Sequence, residues 1–317
     1  MTTHGPRTRP SLLFSLLATV VGLLRWSWLP RFGAVLAIVA FDVLRIRRRH
    51  VLTSLARIGA GDAATARTMY RGLGASALEL LWISRHPEVD LTSVVRIEGR
   101  ELFDAALAHG RGVIVVTAHT GNWDLAACAC ASVTPLSVVT KRLSSPAVDA
   151  WWQGTRAARG VDLLAAPDGN VLRAVRARLG AGRAVALLVD QDPERTTSVV
   201  EAPFLGDVAV HDTLAATLSA RTGAPIVLAF ARRTGGANVV EIVGVITPPA
   251  RAGRTWIAAT TQAIASRLDA FVRADPACWL WLHRRWKTRL QQSTPQGVQT
   301  PRVHFMPGGH SDGPLHS

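Results

Sequence analysis

The chain has 317 residues, enough to bury a large core; 48% are hydrophobic and 18% charged, with a mean hydropathy of +0.20. This composition excludes a disordered chain and is apolar for a freely soluble one. The formal net charge of +14 rests on arginine, since Lys141 and Lys287 are the only lysines. Such a balance attracts a polyanion, either nucleic acid or anionic lipid headgroups. The arginines are spread along the chain and accompany a very apolar N-terminal stretch, so a membrane is the favoured partner and nucleic acid is not.

In chain order, residues 1–10 are polar and basic, and an apolar run then extends from Ser11 to Leu24 and on through Trp26 and Trp28 to Pro30. It is just long enough to cross a bilayer, which needs about 20 residues. A second run, Phe32 to Ile46, contains Asp42 and ends in Arg45, Arg47, Arg48 and Arg49; it is too short and too charged to span. No small-x-small cleavage site is followed by a secreted-type sequence, so residues 11–49 are read as a retained anchor and basic helix. The anchor either spans once or lies in the interface; the alternative is a pair of buried helices.

Met69, Leu73, Leu78, Leu81 and Trp82 predict an amphipathic helix over Asp62 to Ile83. Strands and helices then alternate. Strands are predicted at 112–117, 136–140, 161–164, 184–189, 225–230 and 239–243. Helices are predicted at 122–131, at 145–159 with Pro146 in the first turn, after Asp168, from Asp212 to Arg221, and at 255–273. The apolar strands joined by short connections predict an α/β fold with a largely parallel central sheet flanked by helices, over residues 50–290. Residues 291–317 are rich in Pro, Gly, Ser, His and Gln, and are expected to be a disordered tail.

His119 follows the strand ending at Thr117, and Asp124 comes five residues later. On one continuous helix the two side chains would point about 140° apart. With His119 at the strand end, Gly121 turning the chain and Asn122 starting the helix, Asp124 is expected to reach back to the imidazole, fix its tautomer and raise its basicity. Alone, His-x4-Asp is equally the pattern of a histidine filling space at a sheet edge. Asp190 and Asp192 leave the end of another apolar strand, where sites of parallel sheets collect, and can orient His119 or a substrate hydroxyl. The block Pro203 to Asp212, with Gly206, precedes a helix and has backbone N–H groups able to hold a phosphate; His211 within it is read first as a loop residue. Cys128, Cys130 and Cys278 lack metal-ligand spacing and are expected to be reduced and structural. No metal or cofactor is expected. No Ser or Cys lies in a nucleophile-elbow pattern, so a reacting hydroxyl would have to be activated directly. The interleaved Trp279, Trp281, Trp286 and His283, Arg284, Arg285, Lys287, Arg289 suit nucleic acid or a lipid interface, and the N-terminal run favours lipid.

The segment Val115 to Asp124 resembles the His-x4-Asp/Glu block of glycerolipid and lysophospholipid acyltransferases. Asp190-Gln191-Asp192, Pro203-Phe204-Leu205-Gly206, Thr222 to Val227 and Trp279 to Arg289 narrow the likeness to the bacterial lipid A biosynthesis acyltransferases of the lauroyl/myristoyl type, which are related to the phosphatidylinositol mannoside acyltransferases. The resemblance runs from about residue 11 to 290. It implies an enzyme of the bacterial inner membrane, with its catalytic domain on the cytoplasmic side, that moves an acyl chain from acyl carrier protein to a hydroxyl of a lipid A precursor. Acyl-CoA is the alternative donor. A phosphatidylinositol mannoside, an ornithine lipid or a lysophospholipid is the alternative acceptor, and a noncatalytic membrane-binding protein the rival outside enzymes. By this likeness His119 is the general base, Asp124 its orienter in place of the commoner Glu, and Asp190 an acid near the histidine. Arg156, in the helix before Gly160, is the candidate for phosphate or oxyanion contact, with Arg159 second; Asp192 and Gly206 complete the expected substrate contacts.

Overall fold

The computed structural model describes residues 12–165, 171–194 and 197–287. The predicted cap Asp168, the polar N-terminus and the tail from 291 lie outside the described residues. The elements are α1 (Leu12–Gly22), α2 (Leu29–Ala37), which continues into the π-helical Ile38–Val43, α3 (Arg48–Ala56), α4 (Ala63–Ile83), β1 (Val95–Glu98), α5 (Arg100–Leu107), β2 (Val113–Thr117), α6 (Trp123–Val133), β3 (Leu136–Thr140), α7 (Pro146–Ala158), β4 (Asp162–Ala165), α8 (Val171–Gly180), β5 (Ala184–Leu188), β6 (Val199–Phe204), β7 (Asp207–Asp212), α9 (Leu214–Thr222), β8 (Ile226–Thr234), β9 (Ala237–Ile246) and α10 (Arg254–Ala274).

Seven strands form one sheet in the order β1-β9-β8-β2-β5-β3-β4. From β8 to β4 the neighbours are parallel, while β9 runs antiparallel to β8 and carries β1 parallel to itself. The expected α/β class with a largely parallel, helix-flanked sheet is what the chain adopts. On one face Ile114, Val116, Val185 and Leu187 pack with Leu218 of α9 and Ile264 and Leu268 of α10. On the other, Val138, Ala184 and Ala186 pack with Leu125, Cys128 and Ala129 of α6.

Elements β1 and α5 have no counterpart among the predicted elements, and two further regions differ from the sequence reading. The block read as a glycine-containing loop at 203–212 belongs to the antiparallel hairpin β6–β7, separate from the main sheet. Gly206 sits in its turn at φ +83°, where a Cβ would lie 2.2 Å from the Arg57 carbonyl oxygen. That close packing and the left-handed turn both require a glycine here.

The N-terminal helices are docked along the domain. Leu29, Gly33, Ala37 and Phe41, four residues apart, form the buried edge of α2 and its π-helical extension. Gly33 meets α4 so closely that a Cβ there would stand 2.4 Å from the Ala75 nitrogen. Phe32, Val35, Leu36, Ile38 and Val39 are exposed on the outer side, as are Leu16, Leu17 and Val20 of α1 and Leu23 just beyond it. With 11 residues α1 reaches only about 16 Å. Among the described residues, the helical stretch with the length and composition to cross a bilayer is Trp26–Val43, which includes the segment whose charge argued against spanning.

Candidate active site

His119 lies just past the C-terminal end of β2, the central strand of the seven. Thr117 of β2 pairs with Leu188 of the adjacent β5. His119 and Asp190 each lie two residues beyond that pair, so strand register alone brings them side by side. The His119 Nδ1–Asp190 Oδ1 distance is 3.0 Å, and the Trp279 Nε1–H donates to Asp190 Oδ2 at 2.8 Å. Asp190 and Trp279 are each only 1% exposed. Burial pushes the Asp190 carboxyl up, but His119 and Trp279 outweigh it and hold the carboxyl below its usual range. Burial likewise pushes the imidazole down, and the charge and hydrogen bond of Asp190, with the charge of Asp124, raise it above its ordinary value.

Asp124 was expected to hold the imidazole by a hydrogen bond; the structure gives that place to Asp190. Asn122 caps α6, its side chain accepting from the Leu125 N–H at 3.0 Å. Asp124 is therefore the second residue of a formed helix, and its carboxylate faces α7. Its Oδ1 is 3.5 Å from Arg156 Nη1, and it acts on His119 through charge. Burial pushes the Asp124 carboxyl up, against the pull of Arg156. Arg156 is 3% exposed, donates to Gln153 Oε1 at 2.6 Å and Thr140 Oγ1 at 3.0 Å, and lies 3.9 Å from the Trp152 ring centre.

Removing one partner of a buried ion pair strands the other's charge. Arg156→Met is expected to destabilise the fold by about 3–5 kcal/mol, and Asp124→Asn in the same chain to restore part of the loss. Denaturant unfolding midpoints check this; an unchanged midpoint in the single variant contradicts it.

The other expected substrate contacts have internal partners. Arg159 turns away from the histidine and donates to the carbonyls of Ile83, His86, Pro87 and Val89 at the end of α4. Asp192 accepts from Arg285 Nη1 at 2.6 Å, and Arg285 is 2% exposed. Trp279, Trp281 and Arg285 were read as interface residues, but they are buried. Alternating tryptophan and arginine proves to be a strut: Gly121 N–H donates to the Cys278 carbonyl at 2.7 Å and Leu280 N–H to the His119 carbonyl at 3.0 Å. His211 lies buried in β7 and is pushed down to about 3 by burial and then by Arg285. It stays neutral at any working pH.

Two residues escaped the sequence reading. Glu79, 1% exposed on α4, accepts from Asn122 Nδ2 at 2.7 Å and from Arg233 Nη1 and Nη2 at 2.8 and 2.6 Å. It ties the cap of α6 to the sheet; a charged residue inside the apolar run Leu78-Glu79-Leu80-Leu81 was the signal for it. The Gln191 side-chain amide nitrogen lies 3.5 Å from His119 Nδ1 and 3.4 Å from Nε2, placing a donor over the imidazole. Gly121 makes the turn possible: it has φ +53°, and a Cβ would stand 2.8 Å from the Ala231 backbone.

Beside the histidine an apolar cavity, about 770 Å³ of empty space partly open to solvent, runs between α6 and the sheet. Thr117 and Trp123 line it, and the Trp123 and His119 ring centres are 5.1 Å apart. It exists because facing side chains are small: Ala126, Ala127 and Cys130 on the helix, and Ala186, Ala229 and Ala231 on the strands. No cluster of His, Cys and carboxylates suited to a metal occurs among the described residues. Burial raises the thiols of Cys128 and Cys130 to about 12 and about 11, so neither is a ready nucleophile.

Comparison with known proteins gives three findings. The family described as bacterial lipid A biosynthesis acyltransferase matches residues 6–288. The phosphatidylinositol mannoside acyltransferase of Mycobacterium tuberculosis is 29% identical over 203 residues, covering 62% of this chain and 61% of that protein. That of Mycolicibacterium smegmatis is 27% identical over 185 residues, 57% of this chain and 59% of that one. The matched stretch thus spans about three fifths of these relatives' length. The solved 1-acyl-sn-glycerophosphate acyltransferase of Thermotoga maritima aligns with a TM-score of 0.37 and 14% identity, over 79% of this chain and 98% of that one.

Proposed function

The chain belongs to the bacterial lipid A biosynthesis acyltransferase family and is an acyltransferase, and from that premise we propose that it transfers a fatty acyl chain from a thioester to a glycolipid hydroxyl, with His119 as general base. The observation that carries this reading is the His119–Asp190 pair beside an apolar cavity. With Nδ1–H directed at Asp190, the Nε2 lone pair is left to take the proton of the acceptor hydroxyl as its oxygen attacks the thioester carbonyl. The tetrahedral oxyanion then collapses with cleavage of the C–S bond, and the leaving thiolate takes the proton back from the imidazolium. The Gln191 amide, 3.4 Å from Nε2, would turn to the oxyanion as its side-chain donor when the substrates are bound. The cavity would hold the acyl chain, and Asp190 and Asp124 would favour the imidazolium that forms during transfer.

The acceptor we favour is a phosphatidylinositol mannoside, since that is what the named mycobacterial relatives acylate. A lipid A precursor is the second reading, supported by the family's description. An acidic acyl carrier protein is the proposed donor, because a chain of net charge +14 would attract it. The protein is proposed to lie on the inner membrane, catalytic domain toward the cytoplasm. The exposed apolar faces of α1 and α2 would enter the headgroup boundary, with exposed Arg25, Arg31, Arg45 and Arg49 at lipid phosphates. Offering the purified chain both acceptors with acyl carrier protein or coenzyme A thioesters, and weighing the product lipids, tests the assignment. Acylation of the mannoside is expected; exclusive acylation of the lipid A precursor would replace that acceptor.

Filling the cavity should change chain length. Ala127→Leu adds three carbons to the wall and displaces about two methylenes of a long acyl chain, each worth about 0.8 kcal/mol. The kcat/KM for a long-chain thioester is expected to fall about tenfold relative to a short-chain one. An unchanged ratio would mean that the chain lies elsewhere.

A further inference from the structure

A second cavity, about 740 Å³ of empty space partly open to solvent, separates α1 from α7. Its walls include Ser15 and Ala18 of α1, Arg85 beyond α4, and Trp151, Gly154 and Arg159 of α7 or its end. Helix α7 turns Trp151, Gly154, Ala158 and Arg159 to this side, while Trp152, Gln153 and Arg156 serve the Asp124 side. The cavity is thus separate from the space beside His119.

Its charge is one-sided. No carboxylate lines it among the described residues. Among the described residues the Arg159 guanidinium is met by backbone carbonyls alone, and Glu88, the carboxylate whose charge it feels, makes no hydrogen bond to it. Arg85 forms no ion pair or side-chain hydrogen bond among the described residues. Trp151 stacks on Phe14 of α1 with ring centres 5.5 Å apart, giving the cavity an apolar end. The same helix α1 presents Leu16, Leu17 and Val20 outward, and Leu23 just beyond it is exposed too. A ligand matching these walls carries a negative head and an apolar tail that continues along α1.

We propose that this cavity is a second lipid site, which binds the phosphate-bearing head of an anionic phospholipid as a non-reacting ligand. Arg85 and Arg159 supply the charge, and α1 guides the chains. Since the test reads binding, it stands or falls apart from the acyl-transfer reading.

The test is equilibrium binding to the full chain in detergent, with short-chain phosphatidylglycerol, short-chain phosphatidylcholine and inorganic phosphate as probes. Two variants accompany it. Arg85→Gln removes a charge from an exposed side chain that makes no ion pair or side-chain hydrogen bond among the described residues, and keeps the stem that packs beside Gly22. Gly154→Phe enters open space, because a Cβ at Gly154 meets nothing within 4 Å. A saturable phosphatidylglycerol site is expected, weakened about tenfold by Arg85→Gln, as for loss of one charge-assisted contact, and closed by Gly154→Phe. Phosphatidylcholine and phosphate should bind at least about tenfold more weakly. Phosphate binding as tightly as the lipid would make this a free-anion site and overturn the lipid assignment. Phosphatidylglycerol binding unchanged by Arg85→Gln would overturn the proposal whether or not the phenylalanine variant folds.

Discussion

Replacing His119 by alanine is expected to lower kcat/KM for acyl transfer about 1,000-fold, while binding to liposomes is retained. The figure follows from the general acid–base contribution, which typically amounts to about 10²–10⁴, and His119 is asked to act in both directions, taking the hydroxyl proton and returning it to the thiolate. Alanine also leaves the Asp190 carboxylate, 1% exposed, with Trp279 as its remaining side-chain donor. His119→Gln is therefore the companion variant, since its amide can still donate toward Asp190 but cannot act as a base. Both variants should lose activity alike, and the glutamine variant should unfold at the higher denaturant concentration. Survival of transfer in the glutamine variant would remove His119 from the chemistry.

Asp190→Asn should give the second largest loss, about 100-fold in kcat/KM, together with a displaced pH profile. The base works when neutral, so activity rises with pH through the His119 pKa. Asp190 holds that pKa above the ordinary value of about 6.5. With asparagine the charge is gone, burial pushes the imidazole down, and the acid limb moves to lower pH even as the maximum rate falls. The kcat/KM profile from acid to neutral pH reads this directly. An unmoved limb would mean that the carboxylate serves structure alone.

How much of this was legible beforehand depends on what each signal measures. The strands at 112–117, 136–140, 184–189 and 225–230 show as short uncharged runs because both sheet faces are covered, and the start of α6 at Asn122 shows as a capping residue. Periodicity is local, however, while strand order is not. That β2 lies between β8 and β5 depends on pairings 112 and 71 residues apart, as Ile114 with Ile226 and Thr117 with Leu188 show, and the second of them decides which acid meets His119. Asp124, close in sequence, drew the expected bond; Asp190, close in register, makes it. The hairpin β6–β7 is hidden in the sequence because Pro203 and Gly206 dominate its signal and read as a loop. The cavity beside His119 was hidden for the opposite reason: Ala126, Ala127 and Cys130 look like ordinary helix-forming residues until Ala186, Ala229 and Ala231 are placed across from them. Trp279 and Arg285 carried a correct signal of importance with the wrong location, since side chains suited to an interface also serve as long buried hydrogen-bond donors.

The central claim is that His119 activates an acceptor hydroxyl for direct attack on a thioester, with no acyl group passing through the protein. Incubating the purified chain with an acyl thioester, first alone and then with a phosphatidylinositol mannoside, and following free thiol, acylated lipid and intact protein mass together, tests it most directly. The account requires thiol release that begins on addition of the acceptor, equals the acylated lipid formed mole for mole, and leaves the protein mass unchanged. A burst of thiol before acceptor is added, accompanied by an acyl adduct on the protein, would contradict it.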